Sequence, residues 1–204
     1  MLLNLPAFII TTFLLAMLPG VGQALIMRQT LTHGYVAAWK SVAGTAFGVI
    51  LWSTLAAAGL SALLLANPAV YVGIRVAGGI VLLVMGASSL RTMLQHRSGN
   101  APVSKEPRSA FLAGLATNLG NPKAGVFAVS FVPQFIAPNG PVLLSGMVLG
   151  VIWACSLSVW YAIFVFSVHH GRSMVTKPRV VTWLHGITGV VLVLLGISVI
   201  FGLL

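Results

Sequence analysis

Acidic residues are almost missing from this chain. Against eleven Lys and Arg there is one carboxylate side chain in 204 residues, Glu106. Charge of either sign is scarce: 6% of residues are charged, where a soluble domain has about 25%. Residues 1–27, 41–74, 76–90, 124–171 and 180–204 carry no Asp, Glu, Lys or Arg at all. With a mean hydropathy of +1.05, water cannot be the solvent for most of this surface. The chain reads as an all-α integral membrane protein.

Other absences narrow the chemistry. Cys155 is the single cysteine and lies in an apolar run, so no intrachain disulfide can form; it is expected as a packed thiol. There is no H-E-x-x-H, no C-x-x-C and no Walker glycine loop. Without Asp or Glu in the apolar runs, a carboxylate proton relay is excluded, and so is primary pumping unless another chain supplies the nucleotide site. No basic n-region precedes the first apolar run, so that run is not expected to be a cleavable signal peptide. The net charge of +10 does not point to nucleic acid, because the basic residues lie in connections rather than on one folded face.

What is present is six apolar runs, roughly 5–27, 41–64, 69–90, 110–135, 142–167 and 181–203. Each is near the ~20 residues that a membrane helix needs. The most polar stretch, residues 91–109, divides the chain into 1–90 and 110–204. Loop one holds Arg28 and Lys40, loop three Arg91, Arg97, Lys105 and Arg108, and loop five Arg172, Lys177 and Arg179. The even connections and both termini hold none. The positive-inside rule then predicts loops one, three and five in the cytoplasm and both termini outside.

The two halves resemble each other. Pro19 matches Pro122 at an offset of 103, Gly44 and Gly48 match Gly146 and Gly150 at 102, and Gly79 and Gly86 match Gly189 and Gly196 at 110. Three spans per half is an odd number, so the second half would run inverted relative to the first. Inverted repeats are a common plan of secondary transporters, with the site where discontinuous helices meet near the midplane. Leu18-Pro19-Gly20-Val21-Gly22 and Asn118-Leu119-Gly120-Asn121-Pro122-Lys123 interrupt spans one and four at matching positions. Proline removes a donor and clashes with the preceding turn, and irregular backbone at this depth survives only where it lines a cavity or is buried in protein.

Pro19, Gly20, Gly22, Gln23, Asn118, Asn121, Pro122 and Lys123 are therefore the candidate substrate-binding residues. Lys123 is the most unusual of them, since a lysine at membrane depth faces a cavity or pairs internally. Its ammonium can meet carbonyls exposed by the break in span one, or the carboxylate of a substrate. The asparagines can satisfy freed backbone groups or bind a ligand. Three function classes remain: an exporter of small zwitterionic metabolites, a divalent-metal exporter, and a membrane enzyme or cofactor-binding subunit using His185 or His33 as a haem ligand.

At these same residues the chain resembles the LysE/RhtB-type amino-acid exporter family. The matching blocks are Pro19-Gly20-Val21-Gly22 with Leu31-Thr32-His33-Gly34, and Asn118 to Lys123 with Phe131-Val132-Pro133-Gln134-Phe135-Ile136. The glycine-centred third span fits as well. The resemblance implies a six-helix bacterial inner-membrane exporter of amino acids or their derivatives, driven by the proton-motive force. No cofactor is expected, and the lack of Asp and Glu in the spans argues against a metal site. The motifs are most similar to the homoserine and threonine branch. Expected partners are a small amino-acid substrate and the lipid bilayer, with homo-oligomerisation left open. Val21 and Gly22 replace the second proline and the Asp or Asn of many members, and span five lacks the acidic residue of some. Both departures favour a neutral substrate and leave proton coupling without an obvious residue.

Overall fold

The computed structural model describes residues 2–66, 68–95, 109–137, 139–170 and 177–201, without the side chains of 60–66, 68, 69 and 71. The helices are α1 (Leu5–Met17), α2 (Val21–Thr32), α3 (Gly34–Ala66), α4 (Pro68–Leu94), α5 (Ala110–Leu119), α6 (Pro122–Ser130), α7 (Val142–His169) and α8 (Pro178–Phe201). A 3-10 turn at Val132–Phe135 follows α6. Among the described residues there is no strand, only one antiparallel bridge between Leu2 and Ile136. Arg97, Lys105, Glu106, Arg108 and Arg172, which the topology argument uses, lie outside the described residues.

Four segments are long and apolar enough to cross a bilayer: Gly34–Gly59, Val72–Leu94, Val142–His169 and Pro178–Phe201. α1 and α2 make a fifth if the pair is one span, bent by 60°. The expected fourth span is divided. α5 has ten residues and α6 nine, each ~15 Å long at ~1.5 Å per residue, about half of a ~30 Å hydrocarbon core. Elsewhere the helices outrun the apolar runs: α2 continues to Thr32 and α3 starts at Gly34. Apolar content marks the part within hydrocarbon, while helical hydrogen bonding continues into the polar flanks.

The surface is apolar and polar side chains point inward. Val84, Leu194 and Trp183 are exposed, as expected where lipid covers the helices. Cys155, expected as a packed thiol, is instead on the exposed face of α7. Helical phase places it on the outer face, opposite the buried Trp153 and Ser156 side of the helix. Inside, the Thr12 hydroxyl donates to the Phe8 carbonyl at 2.9 Å and the Ser53 hydroxyl to the Gly146 carbonyl at 2.7 Å. Each hydroxyl is satisfied by backbone, because hydrocarbon offers no partner.

The helices pack in pairs, α4 on α8 and α3 on both α7 and α5. The first pair is held at backbone distance by four glycines. A Cβ at Gly79 would stand 3.0 Å from the Gly196 carbonyl, and one at Gly196 would stand 2.8 Å from that of Gly79. At Gly86 and Gly189 the same exchange occurs, at 2.9 Å and 2.8 Å. Low numbers on one helix face high numbers on the other, so the two are antiparallel. Small residues permit such an approach in membranes, where packing replaces the hydrophobic drive. α3 and α5 are equally close: the Ser41 hydroxyl donates to the Ala110 carbonyl at 2.8 Å, and a Cβ at Gly44 would reach the α5 backbone.

Candidate functional site

The two helix breaks arise from one chemical cause. Pro19 stands four residues after Leu15 and has no N–H to offer, so the Leu15 carbonyl loses its helical donor. α1 ends at Met17, and the carbonyls of its last turn are left over. Leu15 receives a long bond from the Leu18 amide at 3.4 Å and the Lys123 ammonium at 3.5 Å. Gln23 reaches back from α2, its Nε2 donating to the Met17 carbonyl at 2.9 Å and standing 3.4 Å from that of Ala16. In the second break Pro122 orphans the Asn118 carbonyl in the same way. There the donors are the Trp52 indole N–H from α3 at 3.3 Å and the Asn121 amide at 3.0 Å. Asn121 then caps α6, its Oδ1 accepting from the Lys123 amide at 3.1 Å.

α2 starts in the opposite condition. Its N-cap is Gly20, which has no side chain to cap it. The first-turn amides of Val21, Gly22 and Gln23 therefore have no partner within the helix. The break thus sets a carbonyl end, partially negative, beside an amide end, partially positive.

Both breaks open onto one cavity of about 40 Å³. At 10–15 Å³ per water that is room for roughly three waters, well short of the ~300 Å³ of an ordinary ligand pocket. A solute the size of an amino acid enters only if the cleft widens. Gly20, Gly22, Gln23, Asn118, Asn121 and Lys123 all line it. Pro19 and Pro122 do not; they shape the breaks from behind. Pro122 faces a separate, apolar groove of about 560 Å³ against α4, and Asn121 borders both spaces. The Asn118 Oδ1 is buried without a hydrogen-bond partner.

Sequence reasoning missed the α3 and α7 side of this cavity. Thr45, Val49, Trp153, Leu157 and Tyr161 line it too. The Tyr161 hydroxyl lies over Gly22, 2.6 Å from where a Cβ would be. The available signal was a tyrosine deep in an apolar run, since a buried phenol usually needs a polar neighbour. An aromatic cluster links the cavity-lining Trp153 to Phe8 near the start of α1. Phe127 stacks near Trp153 at 4.9 Å and Phe131 at 4.6 Å, Phe131 near Phe135 at 4.8 Å, and Phe135 near Phe8 at 5.0 Å. Leu3 ties down this end through its amide to the Phe135 carbonyl at 2.9 Å.

The histidines lie elsewhere. His33 is exposed and bonds the Thr32 hydroxyl at 2.7 Å. His185 sits between α8 and α4, its carbonyl accepting from the Ser89 hydroxyl at 2.9 Å. Among the described residues no three His, Cys, Asp or Glu side chains lie together.

Residues 13–202 match the family model described as LysE type translocator. The chain belongs to that family. A LysE type translocator is a membrane transport protein and not an enzyme, which removes the cofactor-bearing enzyme class. The matched region contains both breaks and every residue of the cavity. Among relatives, the uncharacterized membrane protein YrhP of Bacillus subtilis is 25% identical over 96% of this chain and 97% of its own. The leucine efflux protein of Klebsiella pneumoniae is 31% identical over 76% of each chain. The homoserine/homoserine lactone efflux protein of Salmonella typhi is 30% identical over 71% of this chain and 70% of its own. No solved structure matches.

Proposed function

We infer that this translocator exports a small zwitterionic amino acid or derivative, homoserine- or threonine-like, across the bacterial inner membrane at the expense of the proton-motive force. The observation that carries the reading is the meeting of two proline breaks at one polar cavity. The break in span one presents both ends of a zwitterion's complement. The amides of Val21, Gly22 and Gln23, with the Tyr161 hydroxyl beside them, suit a carboxylate. The Leu15 carbonyl, which receives only long bonds, suits an ammonium. Asn118 and Asn121 supply amide groups from the other break, and Trp153 and Leu157 bound the side-chain end. Relatives named for the efflux of leucine and of homoserine support an amino-acid substrate.

The architecture in this reading is two inverted three-helix repeats, 1–90 and 110–204, joined by the cytoplasmic connection 91–109, with both termini periplasmic. Spans one and four are α1 with α2, and α5 with α6. The exchanged glycine contacts support it: an offset of 110 turns the pair Gly79 and Gly196 into Gly189 and Gly86, and both pairs touch. Alternating access would move one repeat against the other around the cavity, opening the Phe8 to Phe135 cluster on the outer side.

An efflux screen tests the reading. Cells expressing the protein are loaded with each of the twenty amino acids and homoserine, and release is compared with cells lacking it. Faster release of one or a few zwitterionic compounds is expected. Equal release for all of them refutes the reading.

A further inference from the structure

The carbonyl end of α1 is a cation seat, and in this structure the occupant is a side chain of the protein. Lys123 belongs to the first turn of α6, where its charge opposes the helix dipole. Its side chain crosses the cavity to the end of α1, where a cation is favoured, and stops at the carbonyl that Pro19 has orphaned, 3.5 Å away. The next two carbonyls, of Ala16 and Met17, hold the neutral amide of Gln23. Among the described residues there is no carboxylate side chain to serve Lys123; the single acidic residue, Glu106, lies outside them.

We propose that Lys123 is the proton-coupling residue, and that its ammonium and the ammonium of the substrate are alternative occupants of the seat at the Leu15 carbonyl. The inference rests on the amino-acid export reading above. On the outer, more acidic side, Lys123 takes a proton, returns to the Leu15 carbonyl and displaces the substrate ammonium. On the cytoplasmic side an arriving ammonium cannot share that carbonyl with a like charge. Lys123 then releases its proton to the cytoplasm and withdraws as a neutral amine. One proton enters for each substrate molecule that leaves, and no co-reactant is needed. The geometry makes this an antiport rather than a symport, because the two cations exclude each other from one place.

The surroundings leave few other candidates. Tyr161 of α7 is the one other ionisable side chain among the described residues lining the cavity, and α1, α2, α3 and α5 contribute only neutral groups to it. Arg75 of α4 directs its Nη2 to the Ile200 carbonyl of α8 at 3.5 Å, and His185 sits with Ser89. Neither lines the cavity.

The experiment uses the full chain in proteoliposomes, with radiolabelled L-leucine and L-homoserine as probes. Equal pH on both sides isolates exchange; an imposed pH gradient reads coupling. In the wild type, the half-saturation concentration for exchange should fall as pH rises between about 6 and 8, by up to about tenfold per unit, as linkage to one competing proton requires. Lys123→Met should lose both this pH dependence and accumulation driven by the gradient, whatever rate of exchange it retains. Lys123→Arg cannot release its proton, so it should lose both activities at normal folded abundance, read by size-exclusion fluorescence. A pH-independent wild type overturns the proposal and leaves the export reading standing. So does a Met variant whose exchange keeps the wild-type pH dependence, or one that still accumulates substrate like the wild type, or an Arg variant that transports. If the Met variant does not fold or does not exchange, the wild-type pH series decides alone. A wild type that moves neither probe overturns the export reading itself.

Discussion

Gly22 and Tyr161 provide a prediction whose size follows from two distances. A methyl group at residue 22 would stand 2.6 Å from the Tyr161 hydroxyl oxygen and 3.8 Å from the ring carbon that bears it. Ordinary contact begins near ~3.5 Å, so Gly22→Ala drives the methyl about 1 Å into the hydroxyl alone. Tyr161 is buried, which leaves its ring little room to swing. Overpacking of this kind costs about 1–3 kcal/mol. Tyr161→Phe removes the one offending atom and leaves the 3.8 Å contact, so Gly22→Ala should be close to neutral in the Phe background. The two substitutions should therefore couple by about 1–3 kcal/mol in a double-mutant cycle. At ~1.4 kcal/mol per tenfold, that is roughly a five- to hundredfold change in the unfolding equilibrium. The assay is unfolding of the purified protein in mixed micelles, for wild type, both single variants and the double variant. Stability is the quantity to read, because the Tyr161 hydroxyl also belongs to the proposed site and its loss alters efflux directly. If Gly22→Ala destabilises equally in both backgrounds, the contact does not exist as described and Tyr161 does not lie over the first turn of α2.

Four further outcomes are expected. Gln23→Leu leaves the Met17 and Ala16 carbonyls without their side-chain donor and should destabilise by about 1–3 kcal/mol; thermal unfolding in detergent measures it, and an unchanged midpoint would show that the carbonyls find other partners. Trp52→Phe does the same to the Asn118 carbonyl and should cost less, about 1 kcal/mol, because the Asn121 amide remains on that oxygen. Gly189→Leu forces α8 away from the Gly86 carbonyl and should sharply lower folded abundance in the membrane, whereas Val190→Leu on the exposed neighbouring position should not. For the topology, a reporter active only in the periplasm should be active after Leu204 and silent after Gly99, and the opposite pattern would invert the protein.

The sequence by itself determined the solvent of this protein. The charge-free runs 41–74 and 124–171 exclude water as the medium for any helix they form, whatever the packing. It also determined where helix could not continue, since a missing N–H at Pro19 or Pro122 is a covalent property that no tertiary context restores. For that reason six of the eight candidate residues line one cavity and the other two shape it. Tertiary structure decided the partners. That Lys123 reaches the Leu15 carbonyl depends on how α6 is aimed at α1, a relation between residues more than one hundred positions apart that neither segment encodes alone. That Tyr161 lies over Gly22, and Trp52 over Asn118, follows from the distances at which α7 and α3 pack. Those distances depend on small residues such as Gly44 and Gly146, which the chain marks as a repeat without saying which backbone each one approaches. Which face of α7 carries Cys155 outward is of the same kind: periodicity names the faces of an apolar helix, but only its neighbours settle which one is inside.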